Sequence, residues 1–286
     1  MLEGVFDYAG LFPPTSLDLP AAAEHYFRYV SGPESWITNR FVCPVGRLNE
    51  LLPLLPDGDP WGIACLGSAL SDHKADLQVI EEFEDRAQGR AVVECYEVKA
   101  GDSPERSLLI SLSNVGFEEC FVELPWGESM LDGLHTIADC ETLGAKARTG
   151  SIDPSGYPSC EELAMFLQEC LNLDLPMKFT AGLHHPFRFY DESVGTLSHG
   201  FLNVICAGVL AEDHDLSRSE IAEVLSDENR GSFRFSDDCF VWKGMESEIE
   251  SIDDFRELMA SIGSCSIEDP LVDLREFGLG DSAVVR

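Results

Sequence analysis

An alternation of short apolar runs with amphipathic segments constrains the fold more than any other feature of the chain. Six runs rich in Val, Ile, Phe, Ala and Cys lie at residues 40–45, 62–66, 91–96, 120–124, 144–148 and 177–181. Between them, apolar residues recur at helical spacing over 72–87, 104–115, 129–140 and 160–171. Strands that alternate with helices pair in parallel through crossover connections. The alternation therefore predicts an α/β fold with a parallel sheet.

The ends of the chain are less regular. Residues 1–39 are punctuated by prolines and contain one predicted helix, over 19–30, so we expect an N-terminal extension packed on the main domain. After residue 186 we expect a strand over 262–265 and a hairpin or a single interrupted strand over 232–242, together with helices over 198–210, 217–225, 252–260 and 267–277.

Counting the 232–242 region as one strand gives eight strand–helix units. This number predicts a (β/α)8 TIM barrel, irregular in its later part, as a single domain over residues 40–286. An open doubly wound parallel sheet is the alternative.

Composition excludes several classes of partner. The formal net charge is -33, from 52 acidic and 19 basic residues, which disfavours binding to nucleic acid or to an anionic membrane surface. The chain shows no signal peptide and no apolar run of about 20 residues that could span a membrane. Its ten cysteines are scattered without a CxxC motif, which indicates reduced thiols and a cytoplasmic location.

Two similar phrases carry the main functional signal. Residues 143–150 and 176–182 each place one of the five lysines, Lys146 and Lys178, inside a short apolar run that ends in glycine. Strand alternation sends Lys146 with Arg148, and Lys178 with Thr180, towards the barrel interior.

The same alternation assigns the interior positions of the two preceding runs. In the fourth run it places Phe121 and Glu123 inside, and in the third run it places Glu94 and Tyr96 inside, with Val93 and Cys95 outside. The predicted interior thus gathers charged side chains near the C-terminal ends of strands, where barrel enzymes carry their catalytic residues. They are Glu94, Tyr96, Glu123, Lys146, Arg148 and Lys178.

Two neighbouring lysines have a specific chemical consequence. A nearby cation and partial burial both lower the pKa of an amine, so one lysine can act as a nucleophile towards a carbonyl group, with Glu94 or Glu123 moving protons. The alternative is a structural ion-pair network in which these two glutamates balance the interior cations without any chemistry.

Two further groups are candidates for substrate binding. Gly263, Ser264 and Ser266 form a turn before a helix that could hold a phosphate, although Ser266 as an ordinary helix cap explains the same residues. His184 and His185 follow the sixth run and could donate hydrogen bonds to a substrate. Either histidine could also bind a metal with His199 and Glu123, but no HxH or HxxxH spacing supports this, and we expect no metal and no cofactor.

Three motifs resemble the deoxyribose-phosphate aldolases, a family of class I aldolase barrels. Residues 146–150 resemble its Lys-x-x-Thr-Gly strand, residues 177–182 resemble the next strand, and residues 262–266 are similar to its final glycine-serine strand. The resemblance implies that Lys146 forms a Schiff base, that Lys178 lowers its pKa, and that the last strand binds substrate phosphate. In that family the first lysine lies on the sixth strand, whereas our count of runs places Lys146 on the fifth.

The sequence therefore predicts an aldolase-like, Schiff-base-forming lyase that acts on a small, phosphorylated carbonyl compound. The alternatives are a metal-dependent hydrolase or lyase that uses His184 or His185 with His199, and a non-catalytic ligand-binding barrel. The last alternative predicts that no cavity lies above the lysines. A homo-oligomer is left open.

Overall fold

The structure is a computed structural model that describes residues 1–101, 104–279 and 285. Its strands are, in chain order, β1 (Phe6–Tyr8), β2 (Thr38–Pro44), β3 (Trp61–Leu66), β4 (Ala91–Lys99), β5 (Glu119–Glu123), β6 (Gly144–Arg148), β7 (Met177–Thr180), β8 (Phe189–Asp191), β9 (Thr196–Ser198), β10 (Phe233–Phe235), β11 (Cys239–Trp242), β12 (Met245–Glu248) and β13 (Met259–Ser264). Its α-helices are α1 (Leu19–Ser31), α2 (Leu48–Leu51), α3 (His73–Ala87), α4 (Arg106–Ser113), α5 (Met130–Ala138), α6 (Cys160–Asn172), α7 (Phe201–His214), α8 (Arg218–Ser226), α9 (Ile249–Leu258) and α10 (Glu268–Glu276).

Eight parallel strands close into a barrel in the order β1-β13-β7-β6-β5-β4-β3-β2. Helices alternate with these strands along the chain, so the predicted (β/α)8 barrel is confirmed and the open-sheet alternative is excluded. The last residues of the predicted domain, 280–284 and 286, lie outside the described residues.

The first barrel strand comes from the segment that we expected to be an extension. β1 pairs in parallel with β2 on one side and with β13 on the other, so Asp7 lies opposite Gly263. The boundary predicted at residue 39 is therefore wrong, because the barrel cannot close without Phe6–Tyr8. The correction also makes β6, which carries Lys146, the sixth strand of the barrel rather than the fifth.

The region between β7 and β13 is an insertion around one buried helix. α7 is buried on all sides from Phe201 to Ala211 and packs against α8, α9 and β12. The ring of Phe201 meets that of Phe6 edge-on, with centroids 5.3 Å apart, which connects the insertion to β1. The predicted hairpin over 232–242 forms as β10 and β11, but β12 extends it into a separate three-stranded sheet, so it is not a barrel strand.

Helix ends follow the sequence signals closely. The side chain of Asp18 caps α1, and Ser159 with Glu162 forms a capping box at the start of α6. Among the described residues, no helix is both long enough and apolar enough to cross a membrane.

Candidate active site

Lys146 and Lys178 are direct neighbours across β6 and β7, as the alternation predicted. Both side chains point into the barrel and converge on one carboxylate, that of Glu97 on β4. Lys146 Nζ lies 2.5 Å from Glu97 Oε2, and Lys178 Nζ lies 2.9 Å from Glu97 Oε1. One buried glutamate therefore bridges the two amines.

Two more acids extend this arrangement at its ends. Lys178 Nζ donates to Asp7 Oδ2 on β1, and Lys146 Nζ lies 3.0 Å from Glu123 Oε2 on β5. Asp7, Lys178, Glu97, Lys146 and Glu123 thus form a line of alternating charges across the barrel, which we call the charge chain. Its members are between 0 and 8% exposed, so water screens these charges weakly.

The electrostatics of the charge chain differ from the expectation that each lysine lowers the pKa of the other. Burial alone would lower the pKa of Lys146, but Glu97 and Glu123 outweigh burial and raise it. Burial is likewise outweighed at Lys178, whose pKa is raised well above its usual value by Asp7 and the other groups around it. Burial would raise the pKa of Glu97, but the two lysines lower it to about 2. In the free protein both lysines are therefore protonated.

A bulge in β4 explains why Glu97 was missed and the neighbouring assignments were wrong. Pairing of β4 with β3 shifts after Val93, so Glu94 has no partner and the alternation reverses beyond it. Cys95 consequently faces inward, with its Sγ 3.8 Å from Lys178 Nζ. Tyr96, predicted to bind substrate, faces outward and donates its hydroxyl to Asp76 of α3 at 2.7 Å.

Glu94 lies at the other end of the barrel. Its Oε2 accepts from Arg40 Nε at 3.0 Å, and the guanidinium of Arg40 also donates to both carboxylate oxygens of Glu119 at 2.7 Å. This ion-pair cluster lies near the N-terminal ends of β2 and β5, opposite the end at which barrel enzymes act. A proton-transfer role of Glu94 is therefore contradicted, whereas Glu123 is in contact with Lys146.

The glycine that ends each lysine phrase has a steric cause. Gly150 and Gly182 follow β6 and β7 and lie against each other, and a Cβ on Gly150 would come 2.6 Å from the Cα of Gly182. Thr149 strengthens this contact, since its backbone N–H donates to Thr180 O at 2.8 Å and its hydroxyl donates to Ala181 O. The two glycines allow the ends of the lysine strands to approach, which fixes the positions of both amines.

A cavity of about 310 Å³ opens above the charge chain at the C-terminal end of the barrel. Its floor includes Glu97, Lys146 and Lys178, and Arg148 and Thr180 line its side as predicted. The remaining lining residues are Ala9, Phe12, Pro13, Pro14, Val42, Leu66, Ser151, Ile152, Tyr157, Ala181, Gly182, His184, Asp191, Ser193, Val194, Gly263 and Cys265. The prediction of the non-catalytic alternative, that no cavity lies above the lysines, is wrong.

The fold and the cavity allow a comparison with known proteins. No family model, curated protein or solved structure matches this chain. Because the barrel fold supports many unrelated reactions, function has to be argued from the side chains of the site.

The two adjacent histidines have different environments. His184 lines the cavity, where its Nδ1 lies 3.8 Å from Cys265 Sγ. Burial lowers the pKa of His184 and raises that of Cys265, so the pair is neutral rather than a thiolate with an imidazolium ion. His185 is outside the cavity lining, and its Nδ1 lies 2.5 Å from Asp273 Oδ2 of α10. A contact between His185 and substrate is therefore not supported.

His199 cannot join either histidine at a metal. Its Nε2 lies 2.8 Å from Pro158 O and its Nδ1 lies 2.9 Å from an amino group of Arg188, so both ring nitrogens already have partners. In the part of the chain that the structure describes, no group of three or more His, Cys, Asp or Glu side chains is placed to hold a metal ion. The hypothesis of a site formed by His184 or His185 with His199 is wrong.

The buried His199 gives a testable dependence of stability on pH. Burial, followed by the charge of Arg188, lowers its pKa from 6.5 to about 4 despite the contact with Pro158. Between these values the unfolded chain binds a proton that the folded chain does not. The contribution of His199 to the free energy of unfolding is therefore fully present above pH 6.5 and is lost as the pH falls to 4. The expected slope from this group approaches about 1.4 kcal/mol per pH unit. Urea unfolding of wild type and His199→Gln between pH 7 and 4 should show a smaller slope in the variant. His135→Gln, at a histidine whose side chain is 59% exposed, is the control substitution.

The turn after β13 does not offer the predicted phosphate site. Ser264 Oγ donates to Ser266 O at 2.6 Å, so this hydroxyl is used within the chain, and Ser266 Oγ accepts from Asp269 N at 3.1 Å. Glu268 and Asp269 lie in the first turn of α10, where their charge disfavours another anion. Of the three predicted binding residues in this turn, Gly263 lines the cavity and Ser264 and Ser266 do not.

Proposed function

We propose that the protein is a Schiff-base-forming lyase of the class I aldolase type, which acts on a small carbonyl compound with Lys146 as the nucleophile. The observation that carries the proposal is the convergence of two buried lysines on Glu97 at the floor of a cavity. The position of Lys146 on the sixth strand supports the resemblance to the deoxyribose-phosphate aldolases.

The charge chain suits the formation of an iminium ion. Lys146 first gives a proton to Glu97 or Glu123, which lie 2.5 Å and 3.0 Å from its Nζ. The neutral amine attacks the carbonyl carbon, the same carboxyl group returns the proton to the oxygen, and water leaves with the second amine proton. The ammonium ion and the carbonyl compound together give an iminium ion and water, with no net change of charge. The acids that stabilise the ammonium ion also stabilise the iminium ion.

Lys178 has a different part in this proposal. It is 1% exposed and is held by Asp7, Glu97 and Cys95, so its amine is fixed in the cavity floor. We assign it a positioning role, in which it keeps Glu97 ionised and oriented towards Lys146. Lys146, with Glu123 as its second partner and Arg148 two residues away, is the amine assigned to the substrate.

Reductive trapping tests the proposal. With borohydride and a panel of aldehydes, 2-oxo acids and ketones, we expect one covalent adduct per chain, found by intact mass and mapped to Lys146 among the five lysines. The adduct should be absent from Lys146→Arg and retained in Lys243→Arg, a matched change at a half-exposed lysine. An adduct at Lys178 instead would reassign the nucleophile, and no adduct at either lysine across the panel would overturn the proposal.

The state of the cysteines indicates the kind of cellular compartment in which such an enzyme would act. All ten are free, and nine of them are buried. Buried thiols without disulfides are typical of a reducing compartment, which supports the proposal of a cytoplasmic location.

A further inference from the structure

The cavity has two walls of opposite chemistry. One wall is formed by β6, β7 and the loops that follow them, and it presents Lys146, Arg148, Lys178 and Thr180. The facing wall belongs to β1, β2 and β3, which lie on the other side of the barrel in the strand order. It is lined by Ala9, Phe12, Val42 and Leu66.

The apolar wall continues into the barrel interior. Ala9 and Val42 pack with Ala64, Cys95 and Phe121 in one buried cluster, and Phe12 and Leu66 cover that cluster on the cavity side. The side chains of this wall have no polar group that could pair with a substrate hydroxyl, so a hydroxylated chain lying there would lose its hydrogen bonds to water. An apolar chain would gain from the same contact.

The polar wall has room for one anionic group. Lys146 and Lys178 each contact two carboxylates, so their charges are already balanced. Arg148 donates its Nε to Glu123 at 3.2 Å, its side chain is 40% exposed, and its terminal amino groups have no partner among the described residues. A free guanidinium edge matches a carboxylate through two parallel hydrogen bonds.

The spacing of Arg148 from Lys146 limits where the anion sits on the substrate. The two residues are two positions apart on β6 and face the same way, so their Cα atoms are about 7 Å apart. Once the carbonyl carbon is bonded to Lys146, a carboxylate attached at or beside that carbon can reach Arg148. The other substituent then extends across the barrel to the apolar wall.

We propose that the substrate is a monoanionic oxo acid with an apolar side chain, rather than a phosphorylated, hydroxylated aldehyde. This inference rests on the proposed Schiff-base function for the position of the carbonyl group. It replaces the phosphorylated substrate that the sequence predicted, because neither serine of the turn after β13 lines the cavity and because Arg148, although paired with Glu123, keeps terminal amino groups that can bind one carboxylate.

Two measurements separate the substrate class from the chemistry. Calorimetry with 4-methylpentanoate and glycerol 3-phosphate, which have no aldehyde or ketone group, reports recognition alone. We expect 4-methylpentanoate to bind at least about tenfold more tightly. Borohydride trapping with 4-methyl-2-oxopentanoate and glyceraldehyde 3-phosphate reports the chemistry, and we expect the oxo acid to give the faster adduct.

Matched variants test each wall. Val42→Thr adds a hydroxyl to the apolar wall at nearly constant volume and should weaken 4-methylpentanoate binding by about tenfold. Val92→Thr makes the same change at an exposed position of β4 and should leave binding unchanged. Arg148→Met should weaken binding by about tenfold or more through loss of the carboxylate contact. Circular dichroism of each variant verifies the fold.

The outcomes distinguish the two proposals. Tight binding of 4-methylpentanoate without an adduct from either carbonyl compound would support the substrate class and overturn the Schiff-base function. A faster adduct from glyceraldehyde 3-phosphate would support the function and overturn the substrate class. Equal or absent binding of the two analogues, or equal binding to Val42→Thr and wild type, would also overturn the substrate class.

Discussion

Replacement of Lys178 by methionine is expected to lower the free energy of unfolding by about 3–5 kcal/mol. The carboxylate of Asp7 is fully buried, and Lys178 is its counter-ion in the charge chain. The remaining contacts of Asp7, from Ser261 Oγ at 2.7 Å and Arg40 N at 3.1 Å, are neutral donors that cannot balance its charge. Urea unfolding followed by tryptophan fluorescence at pH 7 measures the loss.

Two further variants show whether an unpaired charge causes the effect. Lys243→Met also removes a lysine that pairs with a buried acid, Asp227 at 3.1 Å, but this lysine side chain is 52% exposed and Asp227 also accepts from Trp242 and Asn229, so the expected loss is smaller than in Lys178→Met. The double variant Asp7→Asn with Lys178→Met should recover most of the loss, because no buried charge is then left without a partner at β1. A Lys178→Met protein as stable as wild type would contradict the buried ion pair.

The sequence predicted the barrel and the lysine pair because both depend on local patterns. Alternating runs and helical periodicity hold over most of the chain, and strand alternation on the short, regular β6 and β7 correctly gives the direction of Lys146 and Lys178. Glu123 on β5 was identified by the same argument.

The sequence-based predictions are wrong where the pairing of distant strands, and not a local pattern, determines the structure. β1 is three residues long, lies in a proline-rich segment and pairs with a strand about 250 residues away, so no local pattern marks it. Alternation also fails at β4, because a bulge reverses the direction of every residue beyond Glu94. Asp7 and Glu97 were both missed for these reasons.

Charge balance was the signal that could have found the missing acids. Lys146, Arg148 and Lys178 were predicted to lie inside the barrel with two glutamates, and buried cations require as many anions. The apolar pattern of the third run also continues through Val98, which extends the strand far enough to include Glu97. An interior with three cations and two acids therefore predicts at least one further buried acid, either on β4 or on a strand that the sequence pattern had not identified.

The second large effect is expected at Lys146 when Glu97 loses its charge. In Glu97→Gln the two amines lose the carboxylate that bridges them, while burial and the mutual repulsion of two cations remain. Glu123 still raises the pKa of Lys146, but burial and repulsion by Lys178 lower it against one acid instead of two, so the neutral amine should appear at lower pH than in wild type. The neutral fraction of a mostly protonated amine rises about tenfold for each pH unit by which the pKa falls, so at pH 8 the rate of acetylation of Lys146 by acetic anhydride should rise by about tenfold or more.

The control uses the glutamate that sequence alternation had selected instead. Glu94→Gln changes the same side chain on the same strand, but its partner is Arg40 at the opposite end of the barrel, so the acetylation profile of Lys146 should match that of wild type. Peptide mass mapping across pH 6 to 10 separates Lys146 from the other lysines, and thermal unfolding verifies that both variants are folded. An unchanged profile in Glu97→Gln would show that Glu97 does not control the charge of Lys146. Glu97 lies between the two amines, whereas Glu94 contacts Arg40. A shifted acetylation profile in Glu94→Gln would therefore contradict this assignment and make Glu94 the partner of Lys146.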